Sequence, residues 1–398
     1  MQLNNKTPNT KIKGMIKETE HNLNEALLQE EIWWSQRAET RWLKYGDNNT
    51  KFFHFKANQR RKKNFIHSIT DTNGKEWQEE NHIHDIFTDY FHNIFSTSNL
   101  VDVQNSLEVV SNRVPQIMKE DLSADFTAEE VKVAMRSMKG TSSPGPDGLP
   151  ALFYQTYWHI IGSDVTQLAL QILNKGSDPT HVNNTYTSLI PKINKPILPS
   201  DFKPISLCNV ILKIITKVIA NRVKKVLPFV ITDYQIAFLS NRLTTDNILV
   251  AFEAFNKIYK TTNTRKGLVG IKLDMAKAYD RIEWSFLHKT LLTMGFPPNL
   301  VDTIMRCVTT VSFSILINGQ PINSFNPQRG LRQGDPLSLY LFIICVEVLS
   351  GLLTKGLADG KFQGVLIAPS AAPPPPPPYS LLMIVYYFVD LIQRKLGF

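Results

Sequence analysis

An apolar run that ends in a carboxylate constrains this sequence more than any other feature. Residues 268–273 read Leu-Val-Gly-Ile-Lys-Leu, which is typical of a buried strand, and Asp274 follows directly. A carboxylate at the end of a buried strand suits a metal-ion site, because hard cations such as Mg²⁺ bind carboxylate oxygens. The alternative is that Asp274 only caps the turn after the strand. The spacing alone leaves both interpretations open.

The composition favours a folded chain with more than one domain. The 398 residues are 43% hydrophobic and 20% charged, so a sizeable core is expected and wholesale disorder is excluded. At roughly 100–200 residues per domain, the length predicts two or three domains. Lys and Arg number 44 against 35 Asp and Glu, and the net charge of +9 permits a polyanionic partner without proving one.

The cysteines and the apolar segments predict the cellular compartment of the protein. Cys208, Cys307 and Cys345 are far apart and odd in number, so they form neither a metal-binding spacing nor a disulfide framework. We therefore expect a reducing, intracellular compartment, the cytoplasm or the nucleus. No apolar stretch of a secretory signal opens the chain, and the run from Leu381 to Val389 is too short to span a bilayer, so no membrane partner is expected.

The first 70 residues form a basic segment of mostly helical pattern. Residues 1–70 carry 13 Lys and Arg against 7 Asp and Glu, a surplus of +6. Aromatic residues alternate with Lys and Arg from Trp33 to Ile66. This pattern suits nucleic-acid binding, because Lys and Arg neutralise phosphates and aromatic rings stack on nucleobases. The alternative is a pair of amphipathic helices with a solvated basic face. The candidate nucleic-acid-binding residues are Arg37, Arg41, Lys51, Arg60, Arg61, Lys62 and Lys63.

Local patterns predict a mixture of helices and short strands in the rest of the chain. Thr127 and Glu130 have the spacing of a capping box at the start of a helix, and Asn318-Gly319 between two β-prone runs predicts a hairpin. Asp335 is the expected N-cap of an apolar helix that begins at Pro336. The other expected elements are one helix over 82–95 in an otherwise polar connector, helices over 127–139, 152–173, 209–226, 245–259 and 284–294, and extended structure within 186–207.

A series of motifs follows one another along residues 30–367. The two longest are Lys-Leu-Asp-Met-Ala-Lys-Ala-Tyr-Asp-Arg at 272–281 and Gln-Arg-Gly-Leu-Arg-Gln-Gly-Asp-Pro-Leu-Ser at 328–338. Shorter ones are Ser-Pro-Gly-Pro-Asp-Gly at 143–148, Leu-Ile-Pro-Lys at 189–192, Pro-Ile-Ser-Leu-Cys-Asn at 204–209, and parts of 37–54 and 235–247. Together they resemble the reverse transcriptase of a non-LTR (LINE-type) retrotransposon of plant type. Ordered motifs at family spacing are far more specific than any one of them alone.

The resemblance implies an α+β fold, that of a right-hand polymerase. The expected parts are fingers and an incomplete palm, without a thumb, and the helical basic segment precedes them. The resemblance implies four regions: the basic segment 1–70, a connector 71–126, fingers and partial palm 127–367, and a proline run with an aberrant tail 368–398. The implied enzyme is an RNA-directed DNA polymerase, whose partners are an RNA template, a DNA primer and deoxynucleoside triphosphates. Asp274 is then a catalytic residue and metal ligand for two Mg²⁺ ions that activate the primer 3′-hydroxyl and stabilise the leaving pyrophosphate.

The resemblance also assigns nucleotide-binding roles. Lys192 and Lys203 match finger positions that bind the triphosphate. The family usually has Arg at the second position, and Lys203 cannot make the bidentate contact that Arg makes. Tyr279 matches the aromatic gate that excludes a ribose 2′-hydroxyl; core packing is its alternative role, and both can hold. Gln333 and Gly334 line the implied nucleotide pocket with Arg332 nearby, for which the alternative is a solvated loop cation.

One departure from the family pattern puts activity in doubt. The family has a hairpin with an Asp-Asp pair soon after the segment that ends near Gly364, whereas here Pro373 to Pro378 can only be polyproline II or coil and Asp390 is the lone aspartate beyond them. Two-metal chemistry needs several carboxylates, so we expect impaired catalysis. A frameshift near the proline run is our hypothesis for the loss. The alternatives are a non-catalytic nucleic-acid-binding remnant or an inert product.

Overall fold

The computed structural model describes residues 10–38, 50–99, 103–233, 235, 239, 242–260 and 275–361. Asp274, Arg41, the predicted strand 268–273 and the tail 368–398 lie outside the described residues. Contacts divide the chain into two compact units, residues 1–68 and residues 69–398. The four regions expected from the resemblance stay predictions.

The first unit contains two helices that pack against each other, α1 (Thr10–Ala38) and α2 (Thr50–Asn64). His54 Nε2 on α2 lies 3.7 Å from Glu30 Oε1 on α1. The last turn of α2 carries Arg61, Lys62 and Lys63, where positive charge interacts favourably with the carbonyl end of the helix. The helical pattern predicted for this segment is therefore present over these two ranges.

The strands of the second unit form one small hairpin and one mixed sheet. A four-stranded sheet has the order β4-β3-β5-β6, in which β3 pairs antiparallel with β4, parallel with β5, and β5 pairs antiparallel with β6. A separate two-stranded sheet pairs β1 with β2. The strands are β1 (Ile69–Thr70), β2 (Glu76–Trp77), β3 (Asn184–Pro191), β4 (Phe202–Cys208), β5 (Ser312–Ile317) and β6 (Gln320–Pro321).

Helices supply most of the buried apolar core of this unit. They are α3 (Glu80–Phe95), α4 (Gln104–Leu107), α5 (Gln116–Ser123), α6 (Ala128–Arg136), α7 (Ala151–Thr156), α8 (Trp158–Lys175), α9 (Val210–Val230), α10 (Thr244–Lys260), α11 (Trp284–Met294), α12 (Pro298–Thr309) and α13 (Ser338–Ala358). The architecture mixes helices with strands and is compatible with the α+β class that the sequence predicts.

Two apolar helices lie at the centre of the core. On α9, Ile214, Ile215 and Ile219 are fully buried, and the helix packs against α6, α8 and α13. Among the described residues, α13 is the one helix long and apolar enough to cross a membrane, and more than half of its apolar window is buried inside the protein. A core helix meets the same criteria of length and composition, and α13 packs against α9 and α11.

Several local predictions are confirmed. The Thr127 hydroxyl accepts a bond from the Glu130 amide at 3.3 Å, and the Glu130 carboxylate accepts one from the Thr127 amide at 2.8 Å, which completes the capping box of α6. Asn318 and Gly319 have φ values of +53° and +90° between β5 and β6, the left-handed pair that a tight hairpin needs.

Three local predictions are wrong. The helix expected over 152–173 is two helices, because Tyr157 leaves the helical region with φ −100° and ψ 18°. The segment 71–126 holds three α-helices instead of one, α3, α4 and α5. Asp335 does not cap α13, which begins at Ser338. Instead, its carboxylate accepts a bond from the Leu337 amide at 2.9 Å and pairs with Arg332.

Candidate nucleotide site

Strand β4 organises the candidate site, because two loops that are distant in sequence bond to its backbone. The Ser206 amide donates to the Gln333 carbonyl at 2.8 Å. Lys277 Nζ donates to the Phe202 carbonyl at 2.9 Å. These contacts bring the loop after residue 274 and the loop before α13 to the same strand. Segments that are far apart in sequence thus meet at the sheet.

The two predicted finger lysines lie near each other on the β3–β4 hairpin. Lys203 stands on β4 opposite Ile190 of β3, and Lys192 follows the end of β3. The Lys192 amide donates to the Asp201 carbonyl at 2.8 Å, and its Nζ donates to the Ser200 carbonyl at 2.9 Å. Lys192 is exposed and Lys203 is half-buried, so both are on the hairpin at the edge of the site.

Tyr279 is half-buried and packs against α13. Its ring stacks on Phe342 of α13 with centroids 4.4 Å apart and planes at 15°. Burial raises the pKa of the Tyr279 phenol above its usual value. The packing role considered as its alternative is present, and the gate role stays a prediction that this contact does not contradict.

Gly334 allows the loop before α13 to approach β4 closely. Its φ is +122°, and a Cβ at this position would lie 2.9 Å from the Ser206 carbonyl oxygen. An L-residue would therefore meet both an unfavourable backbone conformation and a backbone atom. Gln333, its neighbour, is held by the Ser206 bond described above. The structure thus brings Gln333 and Gly334 together with the two lysines around one strand.

Asp280 was not singled out from the sequence, although it belongs to the motif at 272–281. It is 2% exposed, and Gln333 Nε2 donates to its Oδ1 at 3.1 Å. Burial raises the pKa of Asp280 from 3.8 to about 6, against the opposing positive charges of Lys277, Lys192 and Lys203. An acidic residue beside Tyr279 was the available signal, but the pattern did not reveal that the side chain points into the interior.

Lys277 is the second residue of the site that the sequence did not single out. We call the residues that meet here the cluster around β4: Lys192, Lys203, Lys277, Asp280, Gln333 and Gly334. Its backbone adopts the left-handed conformation, with φ +56°, which is uncommon for a residue that has a Cβ. Burial lowers the pKa of Lys277 from 10.5 to about 8, helped by Lys192 and Arg281 and opposed by Asp280. A half-buried cation therefore acts on a buried carboxylate near the start of β4.

Arg332 is placed differently from the other candidates. It is 5% exposed, and its guanidinium donates to the Asn183 side-chain oxygen and, at 3.0 Å, to the Cys307 carbonyl. It also forms an ion pair with Asp335 at 2.7 Å. The alternative of a solvated loop cation is wrong, because the side chain is buried. Its predicted nucleotide contact stays a prediction, while the contacts observed are all with the protein.

A further motif lies at the start of α9. The loop with Gly145 approaches so closely that a Cβ there would lie 2.4 Å from the Asn209 amide nitrogen. The Asp147 amide donates to Asn209 Oδ1 at 3.1 Å, and Lys213 Nζ donates to the Ser143 carbonyl at 3.2 Å. The motifs at 143–148 and 204–209 are therefore in direct contact.

The basic candidates belong to the first unit. Arg60, Arg61, Lys62 and Lys63 are exposed on α2. Arg37 lies in α1 and Lys51 in α2. Arg61, Lys62 and Lys63 make the last turn of α2 basic.

The described residues contain no group of three or more His, Cys, Asp or Glu side chains that could hold a metal ion. That part of the chain therefore does not supply the ligand set of a two-metal centre, and Asp274 lies outside it. Asp280 is the buried carboxylate of the cluster, but its neighbours are lysines and an amide, which do not complete a carboxylate site.

Comparison with known proteins identifies the class to which this cluster belongs. The profile of the family described as reverse transcriptase (RNA-dependent DNA polymerase) matches residues 190–368, which include both loops and the whole of β4. The chain therefore contains a reverse transcriptase domain. Reverse transcriptases as a family use divalent metal ions.

The relatives narrow the class to the non-LTR retrotransposons. An uncharacterized 149 kDa protein of transposon TX1 from Xenopus laevis is 28% identical over 316 residues, 78% of this chain. The retrovirus-related Pol polyprotein from the type-2 retrotransposable element R2DM of Drosophila melanogaster is 26% identical over 224 residues, 56% of this chain. These relatives are retrotransposon proteins, and they support the non-LTR reverse transcriptase that the motifs predict.

A third relative is short. The uncharacterized mitochondrial protein AtMg01250 of Arabidopsis thaliana is 53% identical over 53 residues, which is 13% of this chain and 43% of that protein. This chain spans 24% of the TX1 protein and 20% of the R2DM polyprotein.

Proposed function

We propose that this chain is the fingers and palm part of an RNA-directed DNA polymerase of a non-LTR retrotransposon. Its proposed partners are an RNA template, a DNA primer and deoxynucleoside triphosphates. The observation that carries the proposal is that the hairpin with Lys192 and Lys203 meets the loop with Gln333 and Gly334 at β4, since hairpin and loop lie at least 130 positions apart and have no local reason to meet. We place the protein in the cytoplasm or nucleus, in line with three free, buried cysteines.

Within this proposal each residue has a distinct task. Lys192 and Lys203 neutralise the triphosphate, because ammonium groups act on phosphate as point charges. Tyr279, held rigidly by Phe342, limits the space next to the sugar. Gln333 and Gly334 form the wall opposite the lysines.

We further propose that catalysis by this chain is impaired. Asp274 would hold Mg²⁺, which would supply activation of the primer 3′-hydroxyl and neutralisation of the leaving pyrophosphate. Residues 365–398 contain one aspartate, Asp390, and no Asp-Asp pair. A single carboxylate does not hold two cations, so slow or absent nucleotide incorporation is expected.

Primer extension on poly(rA)/oligo(dT) with Mg²⁺ tests the impairment. Little or no incorporation by the full chain is expected. Incorporation that the substitution Asp274→Asn abolishes would show that the chain is an active polymerase and that the impairment proposal is wrong.

Nucleotide binding tests the site itself, independently of turnover. Binding of dTTP to the protein–poly(rA)/oligo(dT) complex is measured by equilibrium titration. We expect Lys192→Ala and Lys203→Ala each to weaken binding about tenfold, since each removes a charge-assisted contact. Lys195→Ala, in the same exposed hairpin loop, is the matched control and should change binding less than twofold. Equal losses for all three variants would contradict the assigned roles.

A second candidate function is nucleic-acid binding without catalysis. The missing Asp-Asp pair and the exposed basic end of α2 favour it. It differs from an inert product in one measurable property, because phosphate-driven binding weakens as salt rises.

A further inference from the structure

The carboxylate of Asp280 is surrounded by groups from four parts of the chain. Lys277 and Arg281 lie on its own loop, Lys192 and Lys203 on the β3–β4 hairpin, and Gln333 on the loop before α13. Tyr90 on α3 completes the surroundings, because the charges of Asp280, Arg281 and Asp201 act on its phenol. The Gln333 amide donates a hydrogen bond to Asp280 Oδ1 at 3.1 Å.

That hydrogen bond has a fixed polarity. An ionised carboxylate accepts hydrogen bonds and donates none, so the group that Gln333 directs at Asp280 is its NH₂. The amide oxygen of Gln333 is then turned away from Asp280. The Ser206 amide holds the backbone of Gln333, and Asp280 holds its terminal amide. The Gln333 side chain is therefore fixed where it leaves the backbone and at its tip.

We infer that Asp280 is a positioning residue of the proposed nucleotide site, which orients the Gln333 amide so that its oxygen is available to the incoming nucleotide. The inference rests on the proposed function for its ligand and on the observed hydrogen bond for its geometry. Because Asp280 is 2% exposed, the inference gives it a role through Gln333 and not by contact with the nucleotide.

The substitution Asp280→Asn removes this orientation with little change of shape. An Asn side chain donates as well as accepts, so the Gln333 amide is free to take either orientation. We expect dTTP binding to the protein–poly(rA)/oligo(dT) complex to weaken about tenfold at pH 7.5. Asp302→Asn, an exposed carboxylate on α12, is the matched control for the loss of one negative charge and should change binding less than twofold.

The pH profile separates positioning from a structural role. Below pH 6 the wild-type Asp280 carboxyl is protonated and behaves as the Asn variant does, so the tenfold difference between the two proteins should shrink toward unity at pH 5. The nucleotide's own phosphate also titrates near pH 6, but it does so equally with both proteins. The ratio of the two affinities therefore isolates Asp280. A ratio that stays constant from pH 5 to 7.5 would overturn the inference.

A measurement without nucleotide keeps the inference independent of the proposed function. In protein labelled with ¹⁵N-glutamine, the side-chain amide signal of Gln333 is assigned by its loss in Gln333→Ala. We expect that signal to shift between pH 7.5 and pH 5 in the wild type and to stay unchanged in Asp280→Asn. An unresponsive wild-type signal would refute the inference, whereas a responsive signal in a protein that binds no dTTP would refute the nucleotide site alone.

Discussion

At the scale of single residues, burial decides which charged groups have unusual properties. Asp280 and Arg332 are both buried, but Arg332 is paired with Asp335 at 2.7 Å, whereas Asp280 has a neutral amide as its hydrogen-bond partner. The paired group keeps its charge at little net cost, while the other carries a desolvation penalty that raises its pKa to about 6.

This difference predicts how stability depends on pH. The folded-state pKa of Asp280 is raised from 3.8 to about 6, so its contribution to stability is fully present below about pH 4 and is lost as the pH rises through 6. Asp280→Asn should therefore be more stable than the wild type at pH 7.5, by an amount on the order of 1–3 kcal/mol. Urea unfolding at pH 5 and pH 7.5 checks this, and the difference should narrow at pH 5. Histidines titrate in both proteins and cancel in the comparison.

A second residue-scale prediction concerns Gly334. Gly334→Ala places a Cβ 2.9 Å from the Ser206 carbonyl at a φ of +122°, so it should destabilise the fold by roughly 2–4 kcal/mol. Gly319→Ala also has positive φ, +90°, but no atom within 4 Å, and should cost only about 1 kcal/mol. Thermal or urea unfolding compares the two. Equal costs would mean that backbone conformation, and not the approach to β4, governs the requirement for glycine.

At the scale of secondary-structure elements, the ends of helices are where local sequence acts most directly. Thr127→Ala removes the capping hydroxyl of α6, and we expect a loss of about 1 kcal/mol in the free energy of unfolding. Thr309→Ala on α12 is the control, because its hydroxyl bonds the Met305 carbonyl of its own helix at 2.9 Å and caps no helix start. That variant should stay within about 0.5 kcal/mol of the wild type. A larger loss for Thr309→Ala than for Thr127→Ala would contradict the capping argument.

The same scale shows what the sequence could and could not predict. Helix α11 agrees with the predicted range 284–294, because Gly295 with φ +91° follows its last turn and ends it. The break at Tyr157 was missed, because the apolar periodicity continues across it and the interruption is in the backbone alone. The parallel pairing of β3 with β5, Asn184 opposite Ser312, joins positions that no local pattern connects.

In the candidate site too, some features could be predicted from the sequence, whereas others depend on tertiary contacts. Motif residues such as Gln333 and Lys203 could be proposed from their order along the chain, because the resemblance supplies their positions. The burial of Asp280 and Arg332 could not, since burial depends on which loops meet at β4. The loop before α13 arrives there through a backbone hydrogen bond with Ser206, which many residue types could make, and the loop after residue 274 arrives through the Lys277 side chain, which donates to the Phe202 carbonyl.

At the scale of the whole molecule, the candidate nucleic-acid-binding residues and the candidate nucleotide site belong to different compact units. The first unit carries the basic end of α2, and the second carries the cluster around β4. Nucleic-acid binding and nucleotide binding are therefore expected to respond to different substitutions. A chain with impaired chemistry would keep the first property even where the second has no consequence.

Salt dependence measures that first property. Each phosphate neutralised by a Lys or Arg releases counterions, so the slope of log affinity against log salt falls by about 1 for each contact removed. Lys62→Ser combined with Lys63→Ser, on the exposed end of α2, should reduce the slope for an RNA–DNA duplex by about 2. The matched pair Lys224→Ser and Lys225→Ser, exposed on α9, removes the same charge from the second unit and should leave the slope nearly unchanged. Equal reductions of the slope in the two double variants would show that the duplex does not bind preferentially to α2. A wild-type affinity that does not change with salt would favour the inert product.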